Sequence, residues 1–143
     1  MPTTPTVVFD QATVPCIESP DGTMRDSVMV TEATCGSQQF SAGLFFVRPG
    51  TRGHADQHEG QEEVYYIIAG RGLVVIDDQP HQIEGGDVVF IPDGSSHYLV
   101  NTGDQTLSLF WAIAKRWSDV PEIQRELARW HRVEPTSAWG APR

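Results

Sequence analysis

The chain has 143 residues, with 10 Lys and Arg against 19 Asp and Glu and a formal net charge of -9. That length suits one domain over residues 1–143 with a core of its own, and charge of that sign repels nucleic-acid phosphates and anionic lipid, so neither is expected as a partner. Residues 1–13 hold no basic side chain and no long apolar run, so they read as neither a signal peptide nor a membrane span, and a cytoplasmic location is expected. Cys16 and Cys35 have no ligand-like spacing and read as ordinary thiols.

In chain order, an N-terminal arm (1–38) is rich in Pro and Thr, with short β-prone pieces at 7–9 and 27–31 that read as edge strands. The core (39–114) shows short apolar runs divided by turn residues, which predicts an all-β antiparallel sandwich or barrel with strands at 39–48, 63–69, 72–77, 81–84, 87–92, 97–101 and 107–114. Asp77-Asp78-Gln79-Pro80 and Asn101-Thr102-Gly103-Asp104 carry side chains that tolerate tight reversals, and Gly85-Gly86-Asp87 supplies freedom at positive φ. The tail (115–143) changes period. Ser118 or Asp119 as cap, Pro121 in the first turn and Ile123, Leu127 and Trp130 on one face predict a helix over 118–131, ending in Arg129, His131 and Arg132. It is expected to pack across the barrel or against a partner subunit.

His54, Asp56, His58 and Glu63, followed by His97, gather imidazole and carboxylate groups at the spacings a borderline divalent cation requires: zinc first, with iron(II), nickel or manganese as alternatives. Residues of equal parity share a strand face. Asp56 and His58, about 7 Å apart in an extended strand, fit one ion readily; His54 and His58, about 13 Å apart, do so only if the chain bends. Gly50, Gly53 and Gly60 permit a bend. His54 is favoured as the better ligand type, with Asp56 as its competitor. His81 shares parity with Ile83, a core-facing position, and is read either as a fourth imidazole or acid–base group from across the barrel, or as a rim residue. His131 reads as a helix-end histidine.

Gly86, Pro92, Gly94, His97 and Asn101 form a glycine, five residues, Pro-x-Gly, two residues, a histidine, three residues and an asparagine. His58, four residues, Glu63, six residues and Gly70 form a second pattern upstream. Together these resemble the cupin superfamily over 39–114, with one departure: Asp56 stands where the family has its first histidine. The resemblance implies a double-stranded β-helix, a small jelly-roll barrel, with a short C-terminal helix. It also implies Glu63 as an oxygen ligand beside His54, His58 and His97. Residues 62–72, 86–92 and 109–112 are similar to stand-alone polyketide cyclases of aromatic polyketide pathways, of the resistomycin-pathway type. That similarity implies a metal-dependent homodimer in antibiotic biosynthesis that closes rings of a poly-β-ketone, free or carrier-protein bound, by aldol condensation and dehydration. A dioxygenase of the flavonol or thiol type and a non-enzymatic binding or sensor module are the alternatives. Dimerisation is expected because a small barrel with exposed edges and an apolar helical tail bearing Trp130 and Trp139 is better buried against a copy of itself, with the termini as candidates for the interface.

Overall fold

The computed structural model describes residues 4–57 and 59–135. Its strands are β1 (Cys16–Glu18), β2 (Met24–Val30), β3 (Phe40–Val47), β4 (Glu63–Ala69), β5 (Arg71–Ile76), β6 (Gln79–Glu84), β7 (Val88–Ile91), β8 (His97–Val100), β9 (Leu107–Ala114) and β10 (His131–Arg132). They form a seven-stranded sheet in the order β10-β1-β2-β3-β9-β4-β7 and a three-stranded sheet in the order β6-β5-β8. The alternation that predicted the strands is visible in their burial. Tyr65 and Ile67 of β4, Val89 and Ile91 of β7, and Leu107, Leu109, Trp111 and Ile113 of β9 point inward and meet Val74, Ile83 and Leu99 of the smaller sheet. The fold is the all-β barrel that the strand pattern predicts, in the jelly-roll form that the resemblance implies.

The turns follow their chemistry. Asp77 and Asp78, both at positive φ (47° and 65°), join β5 to β6, a pair whose twist matches that of the flanking strands. Asp77 Oδ1 also accepts a hydrogen bond from the Ser96 amide at 2.9 Å, tying the hairpin to the entry of β8.

The ends of the chain depart from expectation. Residues 7–9 form no strand, and Val7 and Val8 are 87% and 88% exposed. Two elements had no clear signal: β1, and helix α1 (Glu32–Cys35), which Thr31 and Thr34 close with a reciprocal capping box. The expected helix over 118–131 shortens to a 3-10 turn (Trp117–Asp119) and helix α2 (Pro121–Leu127). Asp119 is engaged by Arg116 at 2.9 Å, and the 3-10 turn runs directly into Pro121 at the first position of α2. His131 therefore does not end a helix. It lies in β10, which pairs with β1, and its Nε2 is 3.8 Å from Glu18 Oε1. A ladder along the open edge of β1 displaces the last helical turn. Among the described residues no helix is long and apolar enough to cross a membrane.

Gly43 of β3 lies under the Trp111 ring, and a Cβ there would stand 2.7 Å from Trp111 Cζ2 and closer still to the Ser27 carbonyl oxygen. Gly43→Ala should lower stability by about 1–3 kcal/mol, because the ring and β2 must both shift. Urea denaturation checks this, and an unchanged midpoint would contradict the packing described.

Candidate metal and substrate site

β4 and β8 each begin with a polar residue aimed inward. His97, 2% exposed, opens β8, and Glu63 opens β4; His97 Nε2 lies 3.3 Å from Glu63 Oε2. The other ring nitrogen, Nδ1, is 3.1 Å from the Ser95 carbonyl oxygen, which can only accept, so Nδ1 carries a hydrogen and Nε2 faces Glu63. Burial pushes the His97 pKa down. The hydrogen bond and charge of Glu63, with the Ser95 carbonyl, outweigh it, and the net shift is upward. Tyr65 sits edge-on to the His97 ring, with centroids 6.4 Å apart, and its hydroxyl hydrogen-bonds Glu63. Burial first, then the negative charges around it, raise the Tyr65 pKa well above 10, so it stays a donor.

The chain preceding β4 is held against β8 by backbone bonds exchanged between Asp56 and His97, both 2.8 Å. This brings the Asp56 carboxyl toward the pair. Burial and the adjacent Glu126, to which it is hydrogen-bonded, raise its pKa well above the carboxylate range. A bond between two carboxyl groups requires a proton on one of them. His54 is exposed at the rim of the cavity. His58 lies outside the described residues. His81 is not brought to the site: Ile83 is buried, but His81 is exposed on β6, an edge strand that overhangs the interior, and it does not line the cavity. Among the described residues no group of three His, Cys, Asp or Glu side chains is gathered for a metal. The donor types of Glu63 and His97, an imidazole and a carboxylate, are ones a borderline divalent cation accepts.

Beside the pair lies a cavity of about 90 Å³ walled by Phe45, Tyr65 and Trp111. Its roof is the tail. Trp117 stacks on Trp111 (centroids 5.0 Å, 23°), Trp130 packs against Phe45 (6.3 Å), and Ile123 and Leu127 of α2 complete the cover. The tail thus packs across the barrel of its own chain. One further wall residue escaped the sequence reading. Asp26 of β2, 5% exposed, accepts a hydrogen bond from Trp111 Nε1 at 2.9 Å. A signal was available, since Asp26 shares parity with the apolar Met24 and Val28 and so had to face the interior. Burial, partly offset by the Trp111 bond and reinforced by the charge of Glu63, pushes its pKa up to about 8.

Between an unfolded-state pKa of about 4 and its folded value of about 8, Asp26 is protonated only in the folded chain. Its contribution to stability therefore falls as pH rises through that window. Asp26→Asn keeps an acceptor for Trp111 and does not titrate. Metal-free Asp26→Asn should be more stable than the parent at about pH 8.5, on the order of a few kcal/mol, with the gain fading toward pH 4. Denaturation of chelator-treated protein at both ends of the window measures it, and an equal gain at both would contradict the assignment.

Comparison with known proteins agrees with this architecture. Residues 43–113 match the family model described as "Cupin domain". The chain is 36% identical over 98 residues to Protein SchB of Streptomyces halstedii, spanning 68% of each chain. It is 37% identical over 65 residues to an oxalate-binding protein of Thermotoga maritima (46% of this chain, 54% of that one) and 30% identical over 77 residues to Polyketide synthase CurC of Streptomyces cyaneus (54% and 50%). It thus spans about half the length of these last two. A predicted oxalate decarboxylase of Thermotoga maritima has the same fold, with a TM-score of 0.66 at 24% identity over 76% of this chain and 99% of that one. With its barrel, its second motif complete from Gly86 to Asn101 and its similarity to SchB over two thirds of both chains, the protein belongs to the cupin family.

Proposed function

We propose that this cupin is a metal-dependent cyclase acting on a poly-β-ketone. The observation that carries the reading is the buried Glu63–His97 pair facing an aromatic-walled cavity, and the similarity to Polyketide synthase CurC supports it. In this reading Glu63 and His97 hold one divalent ion, zinc first, and the remaining ligands come from His54 and His58, with Asp56 as the competitor to His54. The ion supplies a Lewis acid that polarises a keto oxygen.

The chain's own residues do the rest. Tyr65 orients Glu63 through its hydroxyl. The Asp56–Glu126 pair, holding one proton between two carboxyls, accepts a proton from the acidic methylene. The resulting carbon attacks a second carbonyl of the same chain, forming the ring bond. Protonated Asp26 delivers a proton to the oxygen that becomes the hydroxyl; in the dehydration the Asp26 carboxylate takes the second proton of the former methylene, and the Asp56–Glu126 pair returns the proton it accepted to the departing hydroxyl, which leaves as water. Phe45, Tyr65 and Trp111 select the fold of the chain that brings the two carbons together.

A second reading has its own observation. The cavity of about 90 Å³ is well below the roughly 300 Å³ of an ordinary ligand pocket, and it suits a small carboxylate, as the oxalate-binding relative suggests. A polyketide enters only if the Trp117–Trp130 roof swings off Trp111 and Phe45. The two readings separate in one set of assays.

Metal-loaded protein should cyclise a linear poly-β-ketone. His97→Ala should lose both metal and activity, with occupancy falling about 10–100-fold by elemental analysis. Asp26→Asn should keep its metal and lose turnover by about 100-fold. Tight oxalate binding by calorimetry with no ring closure would install the second reading, and full metal content in His97→Ala would remove that residue from the site.

A further inference from the structure

Next to the cavity lies a surface depression of about 410 Å³ lined by His54, Ala55, Arg125, Glu126 and Arg129. His54 and Glu126 line the cavity as well, so the depression is its mouth. Arg125 lies in α2 and Arg129 two residues past its end, and Ala128 between them keeps helical dihedrals (-60°, -21°). Four residues apart, the two cations share one face of the turn and repel each other. Neither guanidinium has an ion pair or a hydrogen bond among the described residues. Other arginines are engaged: Arg25 with Glu18 at 2.6 Å, Arg116 with Asp119 at 2.9 Å, and Arg52 over the Tyr98 ring at 4.4 Å. Glu126, the acid among the lining residues, hydrogen-bonds Asp56 and pairs with neither arginine.

We propose that this mouth binds the anionic end of an elongated ligand whose apolar body lies in the cavity, with Arg125 and Arg129 as the residues that read the charge. The inference rests on the proposed function only in taking the cavity as the ligand's seat. Size supports it. The cavity of about 90 Å³ is too small for a whole ligand of ordinary size, and the depression brings the space into the range of roughly 300–1,000 Å³. Charge decides which end stays outside. Besides the Glu63–His97 pair, the cavity is walled by the acids Asp26, Asp56 and Glu126, which disfavour a second anion within, whereas the mouth offers two free guanidiniums. The dipole of α2 favours basic residues at its end, but it does not call for them to open onto the cavity. The guanidinium fork fits a carboxylate or a phosphate through two parallel hydrogen bonds. On a chain of net charge -9, a positive mouth also draws in anions that the remaining surface repels. The anion is either the carboxylate that ends a free keto acid or the phosphodiester of an arm that carries the chain.

Calorimetry on the purified full chain with 3,5-dioxohexanoate and with its methyl ester tests this, because the two share a diketone body and differ in the charged end. The acid should bind at least about 10-fold more tightly than the ester, and the preference should shrink as salt is added. Arg125→Gln with Arg129→Gln should abolish the preference while leaving ester affinity and metal content unchanged. Replacement of both by Lys should keep part of it. Both side chains are exposed, so unchanged circular dichroism is expected; if the double variant does not fold, each single Gln substitution should lower the preference by itself. The 3,5-dioxohexanoyl thioester of phosphopantetheine, which lacks the carboxylate and carries a phosphate, separates the two sources. Arginine-dependent binding tighter than that of the acid assigns the mouth to the phosphate, and weaker binding assigns it to the chain's own carboxylate. An ester that binds as tightly as both anions, or a preference that survives in the folded Gln variants, overturns the proposal. Anion preference without ring closure leaves this site standing and removes the cyclase reading; ring closure without the preference does the reverse.

Discussion

The Asn101 side chain spans the two sheets, and the geometry of the site follows from it. Its Nδ2 donates to the Val47 carbonyl of β3 and to the Gln105 carbonyl, both at 2.8 Å, while Oδ1 accepts from the Gly103 amide at 2.9 Å. All of this happens at 1% exposure, where an unmade bond is expensive. The clamp fixes β8 relative to β3 at the end of β8 opposite His97. Since β8 is only four residues long, holding one end places the other, and His97 comes to rest beside Glu63. Asn101→Ala would leave a buried carbonyl of β3 without its donor and release the strand that carries the histidine.

Around that pair the interior is rich in acid. Glu63, Asp26 and Asp56 act on one another through an apolar medium, and the chain answers by keeping protons on Asp26 and Asp56 and by placing the Tyr65 and Trp111 donors against Glu63 and Asp26. Such an arrangement is poor for stability and useful for chemistry. A cation at Glu63 and His97 would relieve the repulsion, and Asp26, with its pKa pushed up to about 8, is a ready proton donor near neutral pH.

The two faces of β4 differ in kind. Its inward residues, Glu63, Tyr65 and Ile67, reach from the polar pair into the core, and its outward residues, Val64, Tyr66 and Ile68, carry no charge. The tail belongs to the inner face. Trp117 and Trp130 stack on aromatic rings of the barrel and close the cavity, so the apolar face of α2 is covered within the chain. Trp139, the other apolar residue of the expected tail surface, lies outside the described residues.

Strand alternation and turn chemistry were legible in the sequence because each depends on neighbours within a few residues. β4 and β9 occupy the segments read from period alone, and the second motif picked out His97, which opens β8, and Asn101, which follows its last residue. The family resemblance singled out Glu63, and the structure sets it on the inner face of β4 beside His97. What parity alone could not supply was depth along a strand: His81 and Ile83 share a face, yet the edge of the small sheet leaves one at the rim and the other in the core. Likewise Asp26 meets Trp111 across 85 residues, and Asp56 meets Glu126 only because the tail folds back over the barrel. These encounters exist only once β2, β3 and β9 lie side by side and the tail returns to the edge of β1, and they set the protonation states of the cavity. The sequence by itself determined the core strands and the family; the tertiary structure decided which carboxyls are buried together, because burial and long-range proximity are properties of the packed chain.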